Sequence, residues 1–109
     1  DHSVQQQVEH CLWTGWPDRG VPTEYYPVFK LLKKMKSFNP AVIHCSAGIG
    51  RTGAITSIDL LLAKLLLGQS ALFKETVTDL RLRRWGAVQT PMQYLFIHRF
   101  IIEIALKNR

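Results

Sequence analysis

From Ala54 to Leu67 the chain is apolar on almost every side, with Asp59 and Lys64 as the exceptions. A helix of that kind has no face to offer water, so it must lie inside a larger body. Gly68 reads as its C-terminal stop. Upstream, Pro40-Ala41-Val42-Ile43 is a short apolar, β-branched run suited to a buried strand. Between strand and helix the six residues Ser46 to Arg51 contain two glycines and no acid. A tight loop there turns successive backbone N–H groups inward, and the following helix aims its positive end at the same point. The stretch reads as a phosphate cradle with the thiol of Cys45 at its base.

Each residue type in that cradle has a chemical reason. A phosphate monoester is met by N–H dipoles, and the same dipoles favour thiolate over thiol. Moving a cysteine from a pKa of about 8.5 to about 5.5 requires roughly 4 kcal/mol of preferential stabilisation. Arg51 closes the loop with a planar fork that matches two phosphate oxygens. A Walker-type nucleotide loop is excluded, because no Gly-Lys-Ser/Thr follows. Gly15 to Pro22 is rich in glycine and proline and so is a loop, with Asp18 as its single acid. An aryl oxide leaves far more easily as the phenol, and Asp18 is the candidate general acid. In isolation it would read as a turn or cap aspartate; beside the Cys45 loop the catalytic reading prevails. The glycines flanking Asp18 suit hinges, and closure over bound phosphate would expel water. Gln89 has no useful pKa, but an amide holds a water through one donor and one acceptor. Gln93 lies four residues on, and Thr90 with Gln93 has the pattern of a capping box.

Together these stretches resemble the cysteine-dependent protein tyrosine phosphatases. His44 to Gly53 resembles that family's signature loop. Trp16-Pro17-Asp18 with Gly20-Val21-Pro22 resembles its mobile acid loop, and Gln89-Thr90-Pro91-Met92-Gln93-Tyr94 is similar to its glutamine loop. The resemblance implies a classical, tyrosine-specific enzyme working through a phosphocysteine intermediate. It implies Cys45 as nucleophile, Asp18 as acid and then base, and Gln89 over the phosphocysteine, aligning water. Arg51 and the backbone of Ser46, Ala47, Gly48, Ile49 and Gly50 would hold the phosphoryl group. His44, Thr52, Gln93, Trp16 and Arg81 take supporting roles: orienting Cys45, bonding its sulfur, assisting Gln89, anchoring the acid loop and bracing the signature loop. Arg84 completes the family's Arg-x-x-Arg with Arg81, nearer a secondary surface. Arg19 stands where family members often carry an aromatic ring or histidine. No cofactor and no metal are implied. The partners implied are phosphotyrosine-containing proteins, and the implied location of the chain is cytoplasmic, as a free protein or as the intracellular part of a receptor-type one.

The remaining elements follow from periodicity. Val8 to Trp13 reads as a strand leading to the acid loop. Glu24 to Ser37 reads as a helix, with Tyr26, Phe29, Leu31, Leu32 and Met35 opposite lysines, Pro27 in its first turn, and a break at Phe38-Asn39-Pro40. Ser70 to Trp85 reads as a helix in which Asp79 and Arg83 are spaced to pair. Tyr94 to Lys107 reads as a last helix with Leu95, Phe96, Phe100, Ile101, Ile104 and Ala105 toward the core. The expected fold class is α/β: a twisted mixed sheet flanked by helices, with a strand–phosphate loop–helix core followed by helices. Two strands do not make a free-standing sheet. The resemblance therefore implies that the rest of the sheet, and the family's substrate-recognition loop, lie upstream. Residues 1–109 are then the C-terminal part of a catalytic domain, with acid loop 15–22, signature loop 44–53 and glutamine loop 89–94.

Charge and cysteine usage bound the alternatives. Two cysteines are too few for a secreted disulfide scaffold, and a Cys11–Cys45 bond would abolish the thiolate. The net charge of +6 raises nucleic-acid binding, but the cations are dispersed and no zinc spacing or aromatic-basic motif accompanies them. A positive field around a phosphate cradle steers anionic substrates instead. The polar start carries no signal-peptide pattern, and Ile58 to Leu67 is too short and too interrupted to span a bilayer. His10 reads as a structural support of the acid loop rather than a catalytic base. Oligomeric state leaves no signal. Two rivals stand beside the tyrosine-specific reading. One is a dual-specificity or lipid phosphatase, which the Trp-Pro-Asp and paired glutamines disfavour. The other is a phosphotyrosine-binding pseudophosphatase or inert fragment, which the intact Cys45, Arg51, Asp18 and Gln89 disfavour.

Overall fold

A computed structural model describes residues 5–38, 40–70 and 72–107. Asn39, inside the expected break, and Ala71, inside the expected helix 70–85, lie outside the described residues. Four helices form: α1 Tyr26–Met35, α2 Gly50–Leu66, α3 Phe73–Arg83 and α4 Pro91–Lys107. Pro27 sits in the first turn of α1, where its missing N–H costs nothing, and Lys33 and Lys34 complement the carbonyl end. The face that α1 buries is Val28 and Leu32, with Leu31 and Met35 packed beside them; Tyr26 and Phe29 point outward.

Helix α2 is the centre of the molecule and packs on both α3 and α4. It begins at Gly50, before the apolar run, and its cap residue Ile49 supplies no side-chain bond, which leaves the first N–H groups open. Its end is a Schellman motif: Gly68 has φ 73°, Gln69 N–H donates to Lys64 O at 2.9 Å and Gly68 N–H to Leu65 O at 3.1 Å. Ala54, Ile55, Ile58 and Leu61 meet Phe96, Ile97, Phe100 and Ile101 of α4, with Val77 from α3 and Trp16 from the acid loop. Each fully buried Ile or Phe contributes about 1.5–3 kcal/mol relative to exposure. The far side of α2 is not covered: Leu60, Leu65 and Leu66 are exposed.

Helix α4 opens with the capping box its sequence predicts. Gln93 N–H donates to Thr90 Oγ1 at 3.2 Å, and Gln93 Oε1 accepts from Thr90 N–H at 3.2 Å and from Gln89 N–H at 2.8 Å. Of the residues expected toward the core, Leu95 and Ala105 are exposed.

The expected sheet is a correction. The described residues contain no strand, and the architecture is helical rather than α/β. Val8, Leu12 and Val42 are 82%, 73% and 87% exposed, and of the two expected strands only the end residues Trp13 and Ile43 pack on the core. β-Branched residues only favour a strand; a ladder partner and a covered face make one. Two short segments pair marginally at best. The His10 and His44 rings stack 6.0 Å apart, but no ladder forms among the described residues. Asp79 and Arg83 also fail to pair; among the described residues the ion pairs are Lys34–Glu9 and Arg51–Asp18.

Candidate active site

Cys45 lies half-buried immediately before the loop that leads into α2. Both thiols, Cys11 and Cys45, are free. Burial pushes the Cys45 thiol up, but the Thr52 hydroxyl, the N–H groups of Thr52 and Gly48 and the charge of Arg51 outweigh it. The pKa falls from its ordinary 9.0 to about 7. At neutral pH this raises the thiolate fraction from about 1% to about one half. Thr52 Oγ1 is buried and closes no hydrogen bond of full geometry. It therefore stands near the sulfur as an uncommitted donor, and its pull is weaker than a formed bond would give. Gly48 makes the turn at φ 75°, a left-handed conformation that a side chain would strain.

The acid loop folds over this cradle. Gly20 N–H donates to Pro17 O at 3.0 Å, which makes Asp18 and Arg19 the tip of a β-turn. Asp18 Oδ1 accepts from Arg51 Nη2 at 3.3 Å, and Trp16 O accepts from Arg51 Nη1 at 3.2 Å. Arg51 Nε is buried and has no partner. Trp16 anchors the loop as the sequence predicts. Its ring is buried, packs on Trp13 and Phe96 at 5.2 and 5.9 Å, and donates Nε1–H to Gly20 O at 2.8 Å.

The glutamine loop reaches the same place from α4. Gln93 is fully buried, and its Nε2 donates to Gly20 O at 3.3 Å, which ties it to the acid loop as well as to its own cap. A Cβ at Gly50 would stand 2.8 Å from Gln89 Oε1 and 3.0 Å from Gln93 Nε2, so both amides lie against the start of α2. The link continues through the backbone: Val88 N–H donates to Ile49 O at 2.9 Å. Arg81 braces that link rather than the signature loop itself, donating Nε–H to Ala87 O at 2.8 Å and Nη2–H to Val88 O at 2.6 Å.

Cys45, Asp18, Arg51, Gln89, Gln93, Trp16 and Thr52 thus converge on one loop. Ser46 and Ala47 are exposed, Ile49 is half-buried, and the ring contact of His44 is with His10. Two residues were missed by sequence reasoning. Gly53 lets α2 approach the 87–88 backbone, and Val88 holds φ 62° to present its N–H. A glycine within an otherwise good helix costs about 1 kcal/mol against alanine, and that cost was the available signal for Gly53. Two surface clefts, of about 220 and 190 Å³, lie nearby, and the second borders the signature loop. One runs along Val21, Tyr25, Phe96 and Arg99, the other along Gly48, Thr52, Leu80 and Arg84; Cys45 lines neither. Among the described residues, no three His, Cys, Asp or Glu side chains gather as a metal set, and no helix is long and apolar enough to cross a membrane.

This geometry has relatives. The chain is 41% identical to the Tyrosine-protein phosphatase Lar-like of Caenorhabditis elegans, over 90% of this chain and 5% of that protein. It is 42% identical to the human Receptor-type tyrosine-protein phosphatase epsilon, over 91% of this chain and 15% of that protein. Among solved structures it is similar to the Trypanosoma cruzi protein tyrosine phosphatase TcPTP1, with a TM-score of 0.80 at 35% identity, covering 85% of this chain and 33% of that one. The chain therefore spans a small part of the curated relatives it matches and about a third of the solved one. The model of the protein-tyrosine phosphatase family matches residues 1–103, and with these relatives it establishes that the chain belongs to the protein-tyrosine phosphatase family.

Proposed function

We propose that these residues hydrolyse phosphotyrosine in proteins through a phosphocysteine intermediate. The observation that carries the reading is a cysteine thiol lowered to about 7 beside an arginine that also holds the loop aspartate. Residues 1–109 act as part of a catalytic domain, with the acid loop at 15–22, the signature loop at 44–53 and the glutamine loop at 89–94. The free thiols support a reducing, intracellular setting.

In the first step the Cys45 thiolate attacks phosphorus in line. The S–P bond forms as the P–O bond to the tyrosine breaks, and Asp18 gives its proton to the departing oxygen. Arg51 and the open N–H groups at the start of α2 hold the equatorial oxygens. In the second step Gln89 positions a water, Asp18 takes its proton, and the S–P bond breaks to release phosphate and thiolate. Thr52 donates to the departing sulfur. Gln93 fixes the backbone of Gln89, its side-chain Oε1 accepting from the Gln89 N–H.

The test is hydrolysis of a small aryl phosphate by the full polypeptide carrying these residues, beside its Cys45→Ser variant. Turnover in the parent alone, with phosphotyrosine binding kept by the variant, is the expected result. Turnover retained in Cys45→Ser would sink the nucleophile assignment. Turnover of phosphothreonine or phosphoinositide equal to phosphotyrosine would replace tyrosine specificity with the broader class.

A further inference from the structure

We infer that Arg19 makes this site read negative charge beside the phosphotyrosine, so that its preferred substrates carry an aspartate or glutamate next to the phosphorylated residue. The inference rests on the phosphatase reading and concerns the residue that follows the acid. Arg19 occupies the third position of the turn from Pro17 to Gly20 with φ 59°, a left-handed conformation that glycine or asparagine adopts more readily. Strain retained at a turn tip next to a reacting group points from the outlier toward function. Its Cα lies about 3.8 Å from that of Asp18. The Asp18 carboxylate already reaches the cradle's arginine at 3.3 Å, which puts Arg19 on the rim of the cradle. The Arg19 side chain is exposed, and among the described residues it makes no hydrogen bond or ion pair.

Its surroundings supply no internal partner. Asp18 is the single carboxylate in residues 15–22, 44–53 and 86–90, and Arg51 holds it. On the other flank of the cradle, Arg84 Nη1 lies 3.7 Å from where a Cβ on Gly48 would stand. Asp18 must come within hydrogen-bond reach of the leaving oxygen to act, so the residue next to a bound phosphotyrosine comes close to the turn that carries Arg19. A lysine there meets a like charge; a glutamate finds an unpaired guanidinium. An exposed pair of this kind corresponds to a preference of roughly two- to five-fold, greatest at low salt.

The experiment compares three phosphotyrosine peptides of equal length, with Glu, Gln or Lys beside the phosphorylated residue, against the full polypeptide. kcat/KM is measured in the parent, Arg19→Gly, Arg19→Gln and Arg19→Lys, and Kd in the same set on a Cys45→Ser background. The parent favours Glu over Gln roughly two- to five-fold at low salt, and the ratio falls toward one near 0.5 M NaCl. Arg19→Lys keeps the preference, whereas Arg19→Gln and Arg19→Gly lose it. Arg19→Gly suits the positive φ and remains informative if Arg19→Gln fails to fold. A parent ratio of one, or a Glu preference that survives in Arg19→Gly, overturns the inference. Peptides bound with the expected ratios but never hydrolysed would uphold it while overturning the phosphatase reading.

Discussion

Replacing Gly53 by alanine tests whether the cradle and the glutamine loop are one mechanical unit. An added Cβ would stand 2.5 Å from Val88 N and 3.2 Å from the Cα and C of Ala87. These are backbone atoms, and they cannot swing aside. They are also pinned: Val88 N–H bonds Ile49 O at 2.9 Å, while Arg81 holds the carbonyls of Ala87 and Val88 at 2.8 and 2.6 Å. Forcing the methyl in costs about 1–3 kcal/mol of overpacking. Losing the Val88–Ile49 bond costs about 1 kcal/mol more. Alanine returns about 1 kcal/mol of helix propensity. The net is about 2 kcal/mol of destabilisation, which lowers Tm by roughly 8–16 °C for a chain this size. Thermal unfolding followed by circular dichroism reads it, with Gly68→Ala as the comparison. Gly68 has φ 73° but nothing within 4 Å, so its alanine meets conformational strain alone, about 1–2 kcal/mol. Gly53→Ala should in addition slow the second step, because displacing residues 87–88 displaces Gln89, and phosphocysteine should accumulate as a larger burst. A Gly53→Ala protein at or above the parent Tm would refute the coupling.

The Cys45 thiol should react with a haloacetamide along a titration centred near pH 7 rather than 9, and Thr52→Ala should move that midpoint upward; a midpoint unchanged from an ordinary thiol would refute the reading of the loop. Because the folded state holds this proton less tightly than the unfolded chain, stability should rise with pH between about 7 and 9 and lose that contribution below 7. Asp18→Ala should slow poor aryl leaving groups far more than good ones, read as a steeper dependence of kcat on leaving-group pKa; equal slowing of both would remove the proton donor from Asp18.

Where a residue's neighbours lie within a few positions, the sequence carried the structure. Gly68 ends α2, Pro27 starts α1, and Thr90 with Gln93 caps α4, each by a local bond pattern with a sequence signature. The chemistry was legible for a related reason: a thiol, an arginine and inward N–H groups on one short loop constrain each other covalently. What failed was long-range. Val8–Trp13 and Pro40–Ile43 have strand composition, but a strand is a property of two chains in register, and no ladder forms among the described residues. The exposed Tyr26 and Phe29 failed likewise, since periodicity finds a stripe without deciding which edge of it the core covers. What Gly53 packs against, and why Val88 takes a positive φ, could not be read from the sequence, because the contact joins segments thirty-five positions apart in the chain.

The partners of Arg51 bear on how the proposed first step is timed. A phosphate taken side-on uses Nε and Nη2 of a guanidinium as its two parallel donors. Here Nε is buried without a partner, Nη2 is on Asp18 and Nη1 is on Trp16 O. The arriving phosphate therefore has one donor waiting and must take the second from Asp18, while the Nη1 bond to the Trp16 backbone is free to persist. Trp16 and Gln93 also hold Gly20 O, so the loop need not open when Asp18 is displaced. In the proposed step the exchange releases the Asp18 carboxylate from Arg51. In the proposed mechanism the event that binds the phosphate is then the same event that frees Asp18, and Arg51 couples the two through a single nitrogen.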